Sequence, residues 1–317
     1  MLIRGPIREY RTWSLDSRRW APYAPRPGDV VIATAPKCGT TWAQQIVSSL
    51  VFGDAEPRSI PSVSPWVEAR FRGTAGDLHA SLEAQTHRRF LKTHLPVDGL
   101  PIYDEVRYIH VARDGRDVLM SLHNHYTHFS DTLLRQFDQI GLEDPVIGKT
   151  YPRLPDDPSE FFRMWISTAA VAGHDDGCPR PSFFELEAGY WAHRLRPNFL
   201  LVHFNDLKAD LDGEMRRIAS FLGITVDPGI WPSLVKAATF ESMRTAGAEL
   251  MPQTRTMLAD GHERFFHKGT NGRWRDFLTD RDLAAYDAKV RTKLTPGLAA
   301  WLEAGRLATC DPFEAGQ

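Results

Sequence analysis

A lysine, a glycine and two threonines separate an apolar run from a helical pattern near the start of the chain. Lys37, Gly39, Thr40 and Thr41 follow the run 31–33 and precede apolar residues at helical spacing. Glycine lets the backbone approach an anion, the first amides of a helix lack partners, and lysine and hydroxyl groups add donors. The turn therefore predicts an anion-binding loop, and the alternative is an ordinary turn capped by a threonine.

The order of these residues differs from that of an ordinary nucleoside triphosphatase loop. In the Walker A pattern a glycine comes directly before the lysine, whereas Lys37 precedes Gly39 here. The physical means of holding a phosphate or sulfate are nevertheless the same in both arrangements.

Three more basic clusters lie downstream. Lys92 and His94 close the segment RFLKTHLP. Arg113 follows the apolar run YIHVA, and Ser121 lies on the helical pattern after it. The fourth cluster is the Gly-rich loop FFHKGTNGRWRDFLT, 265–279. A single histidine or arginine is more often structural or solvated, but ligands of α/β proteins bind at the carboxyl ends of parallel strands. Three clusters at strand ends therefore favour one shared anion site.

The elements that must position these clusters alternate between strand and helix. Short apolar runs predict buried strands at 30–34, 90–93, 107–112 and 198–204. Helical patterns follow the first, third and fourth runs; in the last, Leu211, Met215, Ile218 and Leu222 share a face and Gly223 ends the helix. This order predicts an α/β fold with a central parallel sheet flanked by helices.

Length and composition limit the class of protein. The 317 residues suffice for one large domain or two small ones, and we expect a single domain over 1–317. The formal net charge of −2 argues against a general nucleic-acid-binding surface. The three cysteines are scattered, which indicates reduced thiols and no zinc cluster, and no segment has the length and hydropathy of a signal peptide or membrane span. We therefore expect a cytoplasmic protein.

The four clusters together resemble those of sulfotransferases that use 3′-phosphoadenosine 5′-phosphosulfate (PAPS), above all the cytosolic type, over about 27–279. PKCGTTW is similar to the family's 5′-phosphosulfate loop, LKTHLP to its catalytic strand, ARDGRDVLMS to its 3′-phosphate strand and helix, and HKGTNGRW to its terminal RKGxxGDW loop. The resemblance implies a P-loop-like fold related to nucleoside kinases. It also implies an enzyme that transfers a sulfuryl group from PAPS, without a metal, to a hydroxyl of a small acceptor.

The resemblance also assigns roles to individual residues. It implies that His94 is the general base, that Lys92 supports the sulfuryl group, and that Lys37 stabilises the leaving phosphate oxygen. It assigns PAPS binding to Lys37, Cys38, Gly39, Thr40, Thr41, Trp42, Arg113, Ser121, Phe204, Phe240, His267, Lys268 and Gly269. Within this set Thr40 and Thr41 would grip the 5′-phosphate, while Trp42 and Phe240 would contact adenine.

The chain departs from the family pattern at several positions. Cys38 replaces a serine, Phe204 stands where a tyrosine is common, His267 replaces an arginine, and Arg273 replaces the aspartate of GDW. A backbone amide is available at Cys38 as at serine. The family's C-terminal dimer motif is absent from 243–266, so the sequence does not support dimerisation by that route and leaves the oligomeric state open.

Two other functions are compatible with parts of the pattern. A P-loop kinase of a small metabolite would share the anion loop, but the lysine order and the Lys92/His94 strand argue against it. A non-catalytic nucleotide-binding module would share the fold, but it would not need His94. For the acceptor pocket we expect largely apolar walls from Trp66, Phe71, Phe161, Phe162, Trp165, the segment 245–263 and the irregular excursion 127–158. Such walls suit a lipophilic alcohol or phenol.

Overall fold

A four-stranded parallel sheet forms the centre of the computed structural model, which describes residues 1–314. Its strands are β2 (Val30–Thr34), β3 (Phe90–Thr93), β5 (Arg107–Ala112) and β6 (Phe199–His203), in the spatial order β3-β2-β5-β6. The short strands β1 (Leu2–Arg4) and β4 (Ile102–Tyr103) pair antiparallel outside this sheet. Because β2 lies between β3 and β5, the segments that leave these three strands emerge side by side at one edge.

Helices cover the sheet and build the rest of the chain. Their bounds are α1 (Thr40–Phe52), α2 (Ile60–Val63), α3 (Ala75–Ala84), α4 (Gly115–Tyr126), α5 (Asp131–Glu143), α6 (Pro158–Ser167), α7 (Phe183–Ala192), α8 (Phe204–Ala209), α9 (Leu211–Leu222), α10 (Trp231–Ala237), α11 (Phe240–Thr245), α12 (Gly247–Leu250), α13 (Thr254–Met257), α14 (Gly261–Phe265), α15 (Asp280–Lys293) and α16 (Pro296–Ala304). Short 3₁₀ helices lie at Ser17–Trp20, Val97–Gly99 and Arg273–Asp276. Within residues 1–314, no helix combines the length and apolar character that a bilayer crossing requires.

The alternation of side chains along β2 places apolar residues on both faces of the sheet. Val30 and Ile32 pack into a core shared with α1, α9 and α10. Val31 and Ala33 face the opposite, larger core, which includes residues of α4, α7 and α16. Burial on both faces explains why the strands read as continuous apolar runs instead of alternating patterns.

The predicted strands are confirmed almost to the residue, and β6 is one residue shorter at each end than the predicted 198–204. The predicted helix face appears in α9, which ends at Gly223 in the left-handed conformation (φ 65°). The segment 127–158, which we expect to be an excursion from the sheet, includes the helix α5 at 131–143. Ser130 caps this helix, and Leu133 and Phe137 bury one side of it, so tertiary packing outweighs the polar composition.

A buried ion pair anchors the edge of the sheet opposite the anion loop. Arg89, just before β3, donates from Nη2 to Asp29 Oδ2 at 2.6 Å and from Nε to Oδ1 at 3.0 Å. The Tyr23 hydroxyl donates to the same carboxylate at 2.7 Å. The Asp29 and Arg89 side chains are only 2% and 1% exposed, so neither charge has water as an alternative partner.

We expect the Asp29→Ala variant to lose about 3–5 kcal/mol of unfolding free energy, because it removes the buried acceptor of Arg89 Nε and Nη2 and leaves the exposed Glu83 as the one remaining acidic partner among the described residues. The matched control is Asp54→Ala, which breaks the more exposed pair with Arg58 and is expected to cost less than about 1 kcal/mol. Urea denaturation of both variants measures the difference. Equal and small losses would contradict the assignment of Asp29 as an anchor.

Candidate active site

The anion loop joins β2 to α1 in a strained conformation. Gly39 has φ 111°, a region that residues with a Cβ rarely adopt, and an added Cβ would lie 3.2 Å from the Phe204 ring. Lys37 has φ 73°, the one positive value among the non-glycine residues described. No side chain caps the first turn of α1, so its amides stay free for a ligand. The Thr40 and Thr34 hydroxyls share a 2.6 Å hydrogen bond that fixes the base of the loop.

A cavity of about 450 Å³ opens above this loop. All but one of the residues predicted to act in catalysis or PAPS binding line this cavity. They are Lys37, Gly39, Thr40, Thr41, Trp42, Lys92, His94, Arg113, Ser121, Phe204, Phe240, His267, Lys268 and Gly269. Cys38 is the exception, because its side chain is fully buried beneath the loop, where burial raises the pKa of the thiol well above its ordinary value.

Arg113 ties the anion loop to the Gly-rich loop at one end of the cavity. Its Nη2 donates to the Thr270 carbonyl oxygen at 3.0 Å and to Asn271 Oδ1 at 2.7 Å, and its Nη1 donates to the Lys37 carbonyl oxygen at 3.4 Å. Its guanidinium lies 4.1 Å from the centre of the Phe204 ring. The buried Nε has no hydrogen-bond partner among the described residues, so Arg113 retains donor capacity for a ligand.

Aromatic rings and a glycine form the adjacent wall of the cavity. The rings of Trp42 and Phe204 meet edge to face with centroids 5.4 Å apart, and the indole Nε1 of Trp42 donates to the Ala238 carbonyl oxygen at 2.7 Å. Gly269 approaches Phe240 so closely that a Cβ would lie 3.0 Å from its ring. The neighbouring His267 has its pKa lowered by burial and by the charges of Arg273 and Lys268, so its ring tends to be neutral in the free protein.

His94 is held in a defined orientation where β3 ends. Its Nδ1 lies 2.8 Å from the Thr34 carbonyl oxygen, a contact in which Nδ1–H donates and Nε2 keeps its lone pair. Burial, followed by the charge of Lys92, holds the pKa of His94 well below its ordinary value. The imidazole is therefore neutral at physiological pH and can accept a proton at Nε2.

Glu68, which the sequence analysis missed, fixes the backbone at this position. One carboxylate oxygen accepts from the His94 amide at 2.6 Å and from the Thr93 hydroxyl at 3.1 Å, and also from Trp66 Nε1. The other oxygen accepts from Trp20 Nε1 at 3.0 Å. Four donors thus converge on one fully buried carboxylate. No sequence motif signals this arrangement, because its members come from separate segments of the chain.

Two lysines of the cavity have pKa values well below the ordinary value for lysine. Burial, together with Arg113, lowers the pKa of Lys37 to about 8. Burial, followed by Arg72, lowers the pKa of Lys92 to about 7. A bound anion would restore the charged form of both side chains. In residues 1–314, no group of three or more His, Cys, Asp or Glu side chains could hold a metal ion.

The end of the cavity beyond His94 differs from the predicted acceptor pocket. The Trp66 ring lies 5.0 Å from the His94 ring at this end. The cavity lining also includes Arg72, His125, Tyr126, Arg180, Met257, Leu258 and Phe265, whereas Met251 and Phe266 pack with Met243 near Trp42. The expected walls Phe161, Phe162 and Trp165 are instead buried in the larger core, and Phe71 packs behind Trp66. The segment 127–158 contributes no lining side chain; it supports the wall from behind through the Phe129–Leu258 bridge.

Comparison with known proteins identifies relatives over nearly the whole chain. The family model of the sulfotransferase domain matches residues 27–296. A glycolipid sulfotransferase of Mycobacterium bovis (strain BCG / Pasteur 1173P2) is 33% identical over 314 residues, which cover 94% of each chain. Sulfotransferase 1C2 of Homo sapiens is 28% identical over 278 residues, which cover 85% of this chain and 84% of its own.

Solved structures confirm the predicted fold. Mouse sulfotransferase SULT7A1 complexed with PAP aligns with a TM-score of 0.66 at 18% identity, covering 91% of this chain and 93% of that one. A retinol dehydratase in complex with retinol and PAP aligns with a TM-score of 0.65 at 24% identity, covering 88% and 84% of the two chains. At these identities the similarity concerns the fold alone.

The lowered pKa of Lys92 predicts that the unfolding free energy of the ligand-free protein depends on pH. Lys92 is protonated below about pH 7 in the folded state but below about 10.5 when unfolded, so wild-type stability rises with pH between these values. We expect Lys92→Met to be more stable than wild type at pH 6.5, with a gain that shrinks by pH 9.5. Chemical denaturation of the ligand-free proteins at both pH values measures this gain. A gain that does not depend on pH would contradict the lowered pKa.

Proposed function

The chain belongs to the sulfotransferase family, and we propose that it transfers the sulfuryl group of PAPS to a hydroxyl of a small lipophilic acceptor. One observation carries the proposal: a single cavity joins the anion loop of α1 to the neutral imidazole of His94 and to Lys92. The loop and cations suit a phosphosulfate, and the imidazole suits removal of a proton from the attacking hydroxyl.

We propose that PAPS lies along the wall between the anion loop and the Gly-rich loop. The free amides of α1, with Thr40 and Thr41, would hold the 5′-phosphate, while Arg113, Ser121 and Lys268 would hold the 3′-phosphate. The adenine would lie in the aromatic region formed by Trp42, Phe204 and Phe240. The unpartnered Nε of Arg113 and the close approach at Gly269 support this placement. PAP is also the ligand named for the two structures with a similar fold.

His94 and the two lysines would carry the chemistry. As the acceptor oxygen attacks sulfur, His94 takes the hydroxyl proton at Nε2, and Thr34 and Glu68 keep the imidazole oriented. A bond forms between the acceptor oxygen and sulfur, while the bond from sulfur to the 5′-phosphate oxygen breaks and leaves its electron pair on that oxygen. Lys37 stabilises the departing charge, and Lys92 contacts the sulfuryl oxygens.

The far end of the cavity favours a partly apolar acceptor. Met257, Leu258 and Phe265 supply flexible and aromatic apolar surface to the wall of the cavity, and the Trp66 ring lies 5.0 Å from the His94 ring. The relationship to a glycolipid sulfotransferase agrees with a lipid-like acceptor.

The direct test of the function is transfer of isotopically labelled sulfuryl from PAPS to a panel of alcohols and phenols, with the products identified by mass spectrometry. The proposal expects sulfated products without added nucleoside triphosphate. Phosphorylated products formed from ATP and magnesium would favour the kinase alternative instead. Binding of PAP without any transfer across the panel would favour a non-catalytic nucleotide-binding module.

The role of His94 predicts a specific kinetic effect. His94→Ala should lower kcat by roughly 10²–10⁴ and leave the affinity for PAP nearly unchanged, because the base acts only in the chemical step. His79→Ala serves as the control, since His79 lies on α3 outside the lining of the cavity and should leave kcat unchanged. Turnover that survives in the His94 variant would remove this residue from the mechanism.

The proposed 3′-phosphate site predicts selectivity among nucleotides. Adenosine 3′,5′-bisphosphate (PAP) should raise the melting temperature far more than AMP, because Arg113, Ser121 and Lys268 contact only the additional phosphate. Lys268→Gln should weaken PAP binding by roughly 10-fold, whereas Lys236→Gln, at an exposed position on α10, should not. Calorimetric titration gives both affinities. Equal melting shifts with PAP and AMP would exclude this 3′-phosphate site.

A further inference from the structure

The cavity contains more positive charge than the donor nucleotide can neutralise. Eight arginine and lysine side chains line it, against one carboxylate, that of Asp117. Asp117 accepts from the Gly272 amide at the nucleotide end, and the nearby Glu68 carboxylate is committed to four donors. The proposed contacts of PAPS use four of these cations, Lys37, Lys92, Arg113 and Lys268. Of the other four, Lys208 lies on α8 and Arg273 follows Gly272 at the nucleotide end, while Arg72 and Arg180 lie elsewhere in the lining.

Arg72 lacks an acidic partner. No carboxylate within residues 1–314 forms an ion pair with it, and the hydrogen bond that its guanidinium donates goes from Nη2 to the Met257 sulfur at 3.5 Å. Burial alone lowers the pKa of Arg72 to about 10. A charged group in such surroundings destabilises the free protein unless a ligand supplies the missing charge.

Arg180, which lies against Trp66, also lacks an acidic partner among the described residues. Its Nε donates to the Tyr126 hydroxyl at 3.2 Å, and its guanidinium lies 5.2 Å from the Trp66 ring centre. Its buried Nη1 has no hydrogen-bond partner in the part of the chain that the structure describes. The guanidinium of Arg72 lies 5.5 Å from the centre of the Phe71 ring, and Phe71 packs against Trp66. The Trp66 ring in turn lies 5.0 Å from the His94 ring, so both arginines are on the Trp66 side of His94, at the acceptor end of the cavity.

We propose that the acceptor carries an anionic group, a carboxylate or phosphate, which Arg72 and Arg180 bind while its hydroxyl faces His94. This inference rests on the proposed sulfuryl transfer, which it narrows from lipophilic alcohols to acidic amphiphiles. Guanidinium groups pair with carboxylate and phosphate oxygens through two parallel hydrogen bonds, and both residues have donors to offer. The apolar part of the acceptor packs against Met257, Leu258 and neighbouring side chains.

Matched pairs of acceptors test this proposal. Each pair shares a hydroxyl and an apolar body: ω-hydroxydodecanoate and its methyl ester, a hydroxyphenyl alkanoate and its methyl ester, and an ω-hydroxyalkyl phosphate and its dimethyl ester. Calorimetry in the presence of PAP measures binding without chemistry, and PAPS assays give kcat/KM. For at least one pair we expect the anion to exceed its ester by about 10- to 100-fold in both quantities. The phosphate and carboxylate pairs distinguish the two sources of charge.

Arginine variants identify the binding groups. Arg72→Gln and Arg180→Gln should each reduce the ratio of anion to ester by about 10-fold, whereas Arg135→Gln, at an exposed position on α5, should leave the ratio unchanged. The two cavity variants should also keep or raise the melting temperature of the free protein, because they remove unpaired charge. A structural role for either arginine would lower the melting temperature instead.

The results separate this inference from the function on which it rests. Absence of transfer to every acceptor refutes sulfuryl transfer, while the binding measurements still report whether the anion is preferred. Equal affinities for acid and ester in all pairs, including absence of binding by both, overturn the anionic acceptor. An equal loss for both members of a pair in the variants also overturns it, because this would assign the arginines to the sulfuryl group.

Discussion

Positive charge concentrated at one edge of a buried sheet is the constraint on which the rest of the structure depends. Strands β3, β2 and β5 are parallel neighbours, so the segments that follow them deliver His94, Lys37 and Arg113 to the same edge. Burial makes charge costly there, as the lowered pKa values of Lys37 and Lys92 indicate. A site of this kind is complementary to an anion, and its charges destabilise the protein when no ligand is bound.

The surrounding structure holds this unfavourable arrangement in place. Both faces of the sheet are covered by apolar cores, and the Asp29–Arg89 pair secures the opposite edge. Glu68 uses its buried carboxylate to orient the backbone of His94, and among the described residues it forms no ion pair with Lys92 or with the arginines of the cavity. Stability is therefore concentrated away from the site, while the site retains unpaired donors, as is common where binding competes with folding stability.

The sequence predicted those parts of the site that are encoded locally. The functional residues of the anion loop and of the Lys92/His94 strand are neighbours in the sequence. Both segments could therefore be recognised from residue type and spacing alone. Glu68, Arg72 and Arg180 could not, because their roles depend on contacts between distant segments. The helix α5 was missed for a related reason, since burial of Leu133 and Phe137 outweighs the polar composition of its segment. Phe161 and Trp165 were misplaced for the same reason. Their aromatic side chains suit a pocket wall, but contacts with distant segments bury them in the core.

If the crowded cations of this cavity require an anionic ligand, PAP binding must be accompanied by proton uptake, and the number of protons can be measured. At about pH 8.5 Lys92 and Lys37 are largely neutral in the free protein, and the phosphates of PAP are already fully ionised. Calorimetric titration in two buffers of different ionisation enthalpy gives the number of protons exchanged. The account predicts uptake of roughly one to two protons, because the bound anion favours the charged lysines. Binding enthalpies that are identical in the two buffers would contradict it.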